Sequence, residues 1–211
     1  MNNSELKYIA EGLLKTFFEA GRISLELRKK GLITKIKSDN SPVTNGDLEV
    51  DKLLSLKIKE ITPNIPIISE ETVNLDMNNK NKNFWLIDPI DGTKDYINNK
   101  DEFTLNAALI TNFEPTIGIV FAPAKERLFY SYGNGFAFED FKNEKKPINC
   151  KKKTKIGEVY ALTNTYKPSG EVLKIHKKFN NIPVTIIGRD PKRLISTPVK
   201  KDGANIPTTC H

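Results

Sequence analysis

Two aspartates three positions apart end an apolar run in the stretch WLIDPIDGTKD, residues 85–95. The apolar run over residues 84–87 predicts a buried strand with Asp88 and Asp91 at its carboxyl end. Gly92 permits a tight turn into a following helix, whose first backbone N–H groups favour an anion such as phosphate. The two carboxylates would repel that anion. A divalent cation between them removes the conflict, because Mg²⁺ accepts carboxylate and phosphate oxygens together.

Two further acidic positions could join this site. Glu70 and Glu71 end an apolar run that predicts a strand over residues 65–69. If that strand runs parallel to the one before Asp88, both acidic ends meet at the sheet edge where α/β proteins bind ligands. Asp47 opens a predicted helix and could hold a hydroxyl such as that of Thr93, and through it a water. Together these groups favour metal-assisted phosphate hydrolysis.

Each of these carboxylates also has an explanation without chemistry. Asp88 and Asp91 could cap a turn at the end of the strand. Asp47 could be an N-terminal capping residue of its helix, and Glu71 a solvated surface charge. The residue types and their spacing leave both explanations open.

Apolar periodicity predicts the elements that must position these residues. One helix covers residues 4–29 with Ser4 as its cap, and a second begins near Asp47 and ends at Thr62-Pro63. Alternating apolar residues then predict two hairpins. Their strands are residues 104–111 with 116–121, and residues 127–132 with 135–139.

A second lobe is expected from Cys150. Strands over residues 159–163 and 183–188 are predicted there, with a helix over residues 171–179 between them. After Gly188 the sequence has no periodicity and many charges, which predicts coil. The chain is therefore expected to form an α/β fold with an N-terminal lobe over residues 1–149, the beginning of a second lobe over 150–188 and an irregular tail over 189–211.

Composition excludes several classes of protein. Two cysteines far apart, in no CxxC spacing, argue against a disulfide framework or a zinc site. No apolar run reaches the roughly 18 residues of a membrane helix, and the N-terminus lacks a signal-peptide pattern. The expected location is the cytoplasm, with at most peripheral contact with the inner face of the cell membrane.

Positive charge is concentrated in the last third of the chain. The net charge is +7; residues 141–211 hold 16 Lys and Arg against 5 Asp and Glu, whereas residues 1–140 hold 17 against 21. Such a segment could bind nucleic acid or an anionic metabolite. A solvated lysine face is the preferred interpretation, because no RNA-binding aromatic pattern or zinc finger accompanies the charge.

Five motifs together resemble the inositol monophosphatase superfamily of Mg²⁺-dependent, lithium-sensitive phosphatases. They are DNSPVTNGD (39–47), PIISEE (66–71), WLIDPIDGTKDYI (85–97), EFTLNAALI (102–110) and PTIGIVFAPA (115–124). The resemblance implies a layered α-β-α-β-α sandwich, here with an incomplete second lobe. Within the superfamily, the residues around Ser41-Pro42 and Lys94-Asp95 resemble the bacterial 3′(2′),5′-bisphosphate nucleotidase (CysQ-type) group.

That group implies a reaction and a substrate. The 3′-phosphate of adenosine 3′,5′-bisphosphate would be removed to give AMP and phosphate, a step connected to sulfate assimilation. Hydrolysis of an inositol phosphate is the alternative within the superfamily. The implied partner is therefore a small phosphorylated nucleotide, with no specific nucleic acid, and the oligomeric state stays open.

The resemblance also implies a set of metal ligands. Glu70, Asp88 and the carbonyl oxygen of Ile90 would ligate a first Mg²⁺. Asp88 would bridge to a second ion shared with Asp91, and two or three ions are expected in total.

The implied catalytic residues are Asp47, Thr93 and Glu70. Thr93, held by Asp47, would position or deprotonate the attacking water. The implied contacts to the substrate phosphate come from a short segment of consecutive residues. They are Ile90, Asp91, Gly92 and Thr93.

One family motif has no counterpart here. The superfamily carries a later Trp-Asp-x-Ala-Ala-Gly motif, but the only tryptophan in this chain is Trp85. After Gly188 the sequence continues as Arg-Asp-Pro-Lys, without the expected Gly-Ser-Ser-type segment. The chain is therefore expected to be truncated or frameshifted relative to the superfamily. A non-catalytic remnant that binds metal or anions, and a nucleic-acid binder that uses residues 141–201, are the rival hypotheses.

Overall fold

The computed structural model describes residues 1–72, 81–142 and 144–149 with their side chains, and the backbone of three strands beyond residue 150. The chain divides into two compact units, Met1–Asn149 and Cys150–His211. The helix predicted over residues 171–179 lies outside the described residues. In the described part of the chain, no helix combines the length and the apolar composition needed to cross a bilayer.

The first helix, α1 (Asn3–Lys30), is fixed at its start by a reciprocal cap. The Asn2 side-chain oxygen accepts from the backbone N–H groups of Ser4 and Glu5 at 2.9 and 3.0 Å. The Glu5 carboxylate accepts from the Asn2 backbone N–H at 2.8 Å, which completes a capping box. The prediction of Ser4 as the cap is therefore wrong by two positions, because Asn2 satisfies more of the free N–H groups.

A small ribbon leads into the second helix. Strands β1 (Thr34–Ile36) and β2 (Pro42–Thr44) pair in antiparallel fashion, and α2 (Asn45–Ile61) follows directly. Thr44 caps α2, so the helix begins two residues before the predicted Asp47. Asp47 consequently lies inside the first turn of α2, where its side chain can face the end of a neighbouring strand.

Seven strands form one sheet in the first unit. In spatial order they are β3 (Ile67–Ser69), β4 (Phe84–Asp91), β5 (Thr104–Thr111), β6 (Glu114–Ala122), β7 (Arg127–Tyr132), β8 (Ala137–Phe141) and β9 (Glu144–Pro147). Strand β3 is parallel to β4, and each later strand is antiparallel to the one before it. Both predicted hairpins are present. The β5–β6 turn is tighter than predicted, because Asn112 and Phe113 alone form it, both at positive φ.

The hydrophobic core lies between the two long helices and one face of this sheet. Along β4, Trp85 and Ile87 are buried on the helix-covered face, whereas Leu86 and Asp88 alternate onto the other face. The indole N–H of Trp85 donates to the Thr62 hydroxyl at 3.0 Å, which ties the end of α2 to the sheet. The core therefore anchors β4 from one side and leaves its acidic end facing the other.

The second unit contains three described strands. Strand β10 (Val159–Thr163) is parallel to β11 (Val184–Gly188), and β12 (Leu194–Ser196) is antiparallel to β11. The prediction of coil after Gly188 is wrong for residues 194–196, since Leu-Ile-Ser is short enough to escape a periodicity test and pairs with β11 instead. With helices and mixed sheets, the predicted α/β fold class is confirmed.

Close packing of α1 on the sheet predicts a strong effect of one methyl group. A Cβ at Gly21 would overlap the ring of Phe121 and lie 3.1 Å from Cβ of Pro123. We expect Gly21→Ala to lower the free energy of unfolding by about 1–3 kcal/mol, the usual cost of overpacking. Urea denaturation measures this change.

Gly12→Ala is the matched control in the same helix. Its Cβ would lie 3.1 Å from Cδ1 of Ile61, the flexible end of a side chain that can move aside. The intrinsic gain of up to about 1 kcal/mol for replacing a helical glycine should then appear at least in part. Equal stability of the two variants would contradict the close approach of α1 to β6.

Candidate active site

Two acidic side chains meet where the parallel strands β3 and β4 end. Ser69 is in register with Ile87, so Glu70 and Asp88 occupy the next positions on adjacent strands. The Glu70 backbone N–H donates to the Ile87 carbonyl at 3.0 Å, which continues the pairing into the acidic end. The expectation that both acidic ends reach the same sheet edge therefore agrees with the structure.

Asp88 is the most strongly perturbed carboxyl group of this edge. Its pKa is raised to about 7, first by burial and then by the charges of Glu70 and Asp91, a hydrogen bond with Glu70 and the charge of Asp47. Its Oδ1 atom is buried and accepts no hydrogen bond from any described residue. An ionised Asp88 therefore has no hydrogen-bond donor at this oxygen among the described residues.

A bulge in β4 sets the direction of the next acidic residue. Asp88 pairs with Asn106 and Asp91 pairs with Thr104, so β4 uses one more residue than β5 over this interval. Asp91 ends the strand, and Gly92 follows with φ of +93°. A Cβ at Gly92 would lie 2.8 Å from the Glu102 carbonyl oxygen, so only glycine fits this turn.

Thr93 opens the short helix α3 (Thr93–Ile97) and faces two acceptors. Its hydroxyl oxygen lies 3.0 Å from the Ile90 carbonyl oxygen and 3.3 Å from Oδ1 of Asp47. The expected contact between Asp47 and Thr93 is thus present. The single hydroxyl proton can serve only one of them at a time, so the Ile90 carbonyl, expected as a metal ligand, keeps at least one lone pair.

Asp47 serves the helix and the site together. Its Oδ2 atom accepts from the Thr44 backbone N–H at 2.7 Å and from the Thr44 hydroxyl at 2.6 Å, as a capping-box residue does. Its Oδ1 atom is left for Thr93. Burial raises the pKa of Asp47, and the hydrogen bonds from Thr44 act against that rise. The capping role and the catalytic role, which the sequence left as alternatives, are compatible.

Lys37 is a residue of this site that sequence reasoning missed. Its ammonium lies 2.8 Å from Oε1 of Glu71 and 3.3 Å from Oε1 of Glu70. The Glu71 side chain is 5% exposed and that of Glu70 is 49% exposed, so Glu71 is a buried ion-pair partner and not a solvated charge. The only sequence signal was a lysine ahead of the turn-rich DNSP segment. Lys37 partly balances the negative charge of the cluster.

The expected metal ligands are only partly assembled. Among the described side chains, no group of three or more His, Cys, Asp or Glu residues is placed to hold one metal ion. The donor types nevertheless fit Mg²⁺, since they are carboxylate and carbonyl oxygens. The buried Oδ1 of Asp88 also has no hydrogen-bond donor among the described residues, so its lone pairs could coordinate a cation. Glu70, expected as a ligand, is paired with Lys37.

Acidic residues at the ends of parallel strands, next to a glycine-led helix start, lie at the sheet edge where α/β proteins place their ligands. The chain belongs to the inositol monophosphatase family, whose family model matches residues 2–197. The 3′(2′),5′-bisphosphate nucleotidase CysQ of Haemophilus influenzae is 30% identical over 149 residues, covering 70% of this chain and 53% of that protein. The resemblance inferred from the motifs is confirmed.

Solved structures share the fold. The structure of CysQ from Bacteroides thetaiotaomicron has a TM-score of 0.60 at 22% identity, covering 85% of this chain and 71% of that one. An IMPase/NADP phosphatase complexed with Mg²⁺ and phosphate has a TM-score of 0.69 at 16% identity, covering 87% and 67%. The present chain spans about half the length of the curated relatives it matches.

The raised pKa of Asp88 predicts a pH-dependent stability without metal. The ordinary pKa of 3.8 applies to the unfolded chain, whereas the folded value is about 7. Between these values the folded state keeps a proton that the unfolded state has lost, so stability falls as pH rises and the loss is complete above the folded pKa. Asp88→Asn, which is neutral at every pH, should therefore stabilise the chain more at about pH 8 than at about pH 5.

Denaturant midpoints measured in EDTA at both pH values test this. Each midpoint is compared with that of the unsubstituted chain at the same pH. An equal gain from Asp88→Asn at both pH values would show that Asp88 ionises normally in the folded state.

Proposed function

We propose that this chain carries a Mg²⁺-dependent phosphomonoesterase site that removes the 3′-phosphate of adenosine 3′,5′-bisphosphate. The observation that carries the proposal is the convergence of Glu70 and Asp88 on parallel strands beside Gly92 and Thr93. The name of the Haemophilus relative supports the bisphosphate nucleotide as substrate, and the Mg²⁺ and phosphate bound to a structural neighbour support the metal.

The residues that would hold Mg²⁺ are Glu70, Asp88, Asp91 and the carbonyl of Ile90. A bound Mg²⁺ would supply charge stabilisation for the phosphate oxygens in the transition state. Burial and the neighbouring charge of Glu70 raise the pKa of Asp88 to about 7. The positive charge of a bound cation would favour its ionised form at lower pH.

Thr93 is suited to orient the attacking water. When its hydroxyl donates to Asp47, the oxygen of Thr93 is left as an acceptor for a proton of that water. Asp47 is buried and tied to Thr44 through its other oxygen, so it holds Thr93 in a fixed direction. The backbone N–H groups of Gly92 and Thr93 would lie against the substrate phosphate, as the family resemblance implies.

Two observations favour a rival function. The ion pair of Lys37 with Glu70, together with the incomplete ligand set among the described residues, is what a non-catalytic anion- or metal-binding remnant would show. The cytoplasmic location, lithium sensitivity, the link to sulfate assimilation and the number of ions stay predictions.

Release of inorganic phosphate from adenosine 3′,5′-bisphosphate tests the proposal. We expect Mg²⁺-dependent release that EDTA abolishes. Thr93→Val removes the hydroxyl at nearly constant volume and should lower kcat by about 10²–10⁴-fold, the usual contribution of a group that handles the proton of the nucleophile. Thr93→Ser keeps the hydroxyl and should retain most of the activity.

Four outcomes would count against the proposal. Release that is unchanged in EDTA, or equal in Thr93→Val and Thr93→Ser, would contradict the proposed chemistry. Faster release from inositol 1-phosphate would assign a different substrate to the same site. Binding of Mg²⁺ in calorimetry without any release would support the remnant.

A further inference from the structure

Asn106 lies directly opposite Asp88 across the β4–β5 pairing. Side chains of directly opposed residues on antiparallel strands share one face of the sheet and are near neighbours. Asn106 is therefore placed beside the carboxyl group at the centre of the acidic cluster. Asn106 is not among the residues to which the family resemblance gives a role.

Asparagine is an unusual choice for this position. Asn is depleted in strands, and its neighbours on β5 are mostly apolar. The residue opposite Asn106 on its other side is Val120 of β6, which offers no polar side-chain atom. Of the two residues that flank Asn106 across the sheet, only Asp88 can exchange a hydrogen bond with it.

Both residues carry an unsatisfied oxygen. Oδ1 of Asp88 and Oδ1 of Asn106 are buried, and neither has a hydrogen-bond partner within the described ranges. When Asp88 is ionised, both of these oxygens are acceptors and cannot satisfy one another, so the pair needs a donor. A half turn of the Asn106 carboxamide exchanges its oxygen for its NH2 group and supplies that donor.

We propose that Asn106 is a positioning residue for Asp88, with its NH2 group donating to Oδ1 of the ionised carboxylate. This hydrogen bond fixes the rotation of the carboxylate, so that its other lone pairs face a divalent cation at the strand edge. The proposal rests on the proposed function, because it assigns a role toward the same cation. Partners of this kind set the orientation of metal ligands and hence metal affinity.

Mn²⁺ binding by the full chain, followed by electron paramagnetic resonance, tests this role without relying on turnover. Asn106→Leu keeps the size of the side chain and removes the donor, and it should weaken Mn²⁺ binding by about 10–100-fold. Asn106→Thr keeps a hydroxyl donor and should bind Mn²⁺ more tightly than Asn106→Leu. Ser131→Val, a polar-to-apolar change two strands away on β7, should leave Mn²⁺ affinity unchanged.

Thermal unfolding in EDTA shows whether a loss of Mn²⁺ affinity comes from the orientation of Asp88 or from a destabilised fold. Unchanged Mn²⁺ affinity in Asn106→Leu would overturn the inference, and so would equal losses in the Leu and Thr variants accompanied by equal drops in melting temperature. If Asp88→Asn abolishes Mn²⁺ binding while Asn106→Leu leaves the affinity unchanged, the metal site stands and only the role of Asn106 falls. If the unsubstituted chain binds no Mn²⁺, the proposed function and this inference both fall.

Discussion

Parallel pairing of β3 with β4 places the carboxylates of Glu70 and Asp88 side by side. The surrounding residues must compensate for the repulsion between them. Because Ser69 and Ile87 are in register, Glu70 and Asp88 must follow side by side. The core on the opposite face, anchored by Trp85, prevents β4 from sliding to relieve the repulsion. A cluster of like charge held this rigidly is stable only with protons, ammonium groups or metal cations nearby.

The structure shows two of these three forms of compensation. Asp88 is protonated more readily than an ordinary carboxyl, and Lys37 pairs with Glu70 and Glu71. Under the proposed function, a divalent cation would replace the proton on Asp88 and the Lys37 ammonium as the source of compensating charge. Thr93 and Asp47 are already joined beside it, so the water-orienting part of the proposed centre does not depend on the cation for its geometry.

Local patterns in the sequence predicted most of the elements, because helices and hairpins are set by short-range periodicity and turn residues. The acidic candidates could be named for the same reason, since strand ends and a glycine turn are local signals. Lys37 and Asn106 could not be found this way. The contact of Lys37 with Glu71 and the place of Asn106 opposite Asp88 are both set by tertiary packing. The cap at Asn2 was missed because Asn2 and Ser4 are both residues that can cap a helix. The strand over residues 194–196 was missed because it is defined by its pairing with β11, which a local pattern does not reveal.

The most direct test of the shared-cation claim is a crystal structure of the chain soaked in Mn²⁺, with anomalous difference density recorded. The account predicts a peak at coordination distance, about 2.0–2.3 Å, from carboxylate oxygens of Asp88 and at least one of Glu70 and Asp91. It also predicts that Lys37 has moved away from Glu70. A crystal in which Mn²⁺ peaks appear only elsewhere, with Lys37 still paired to Glu70, would contradict it.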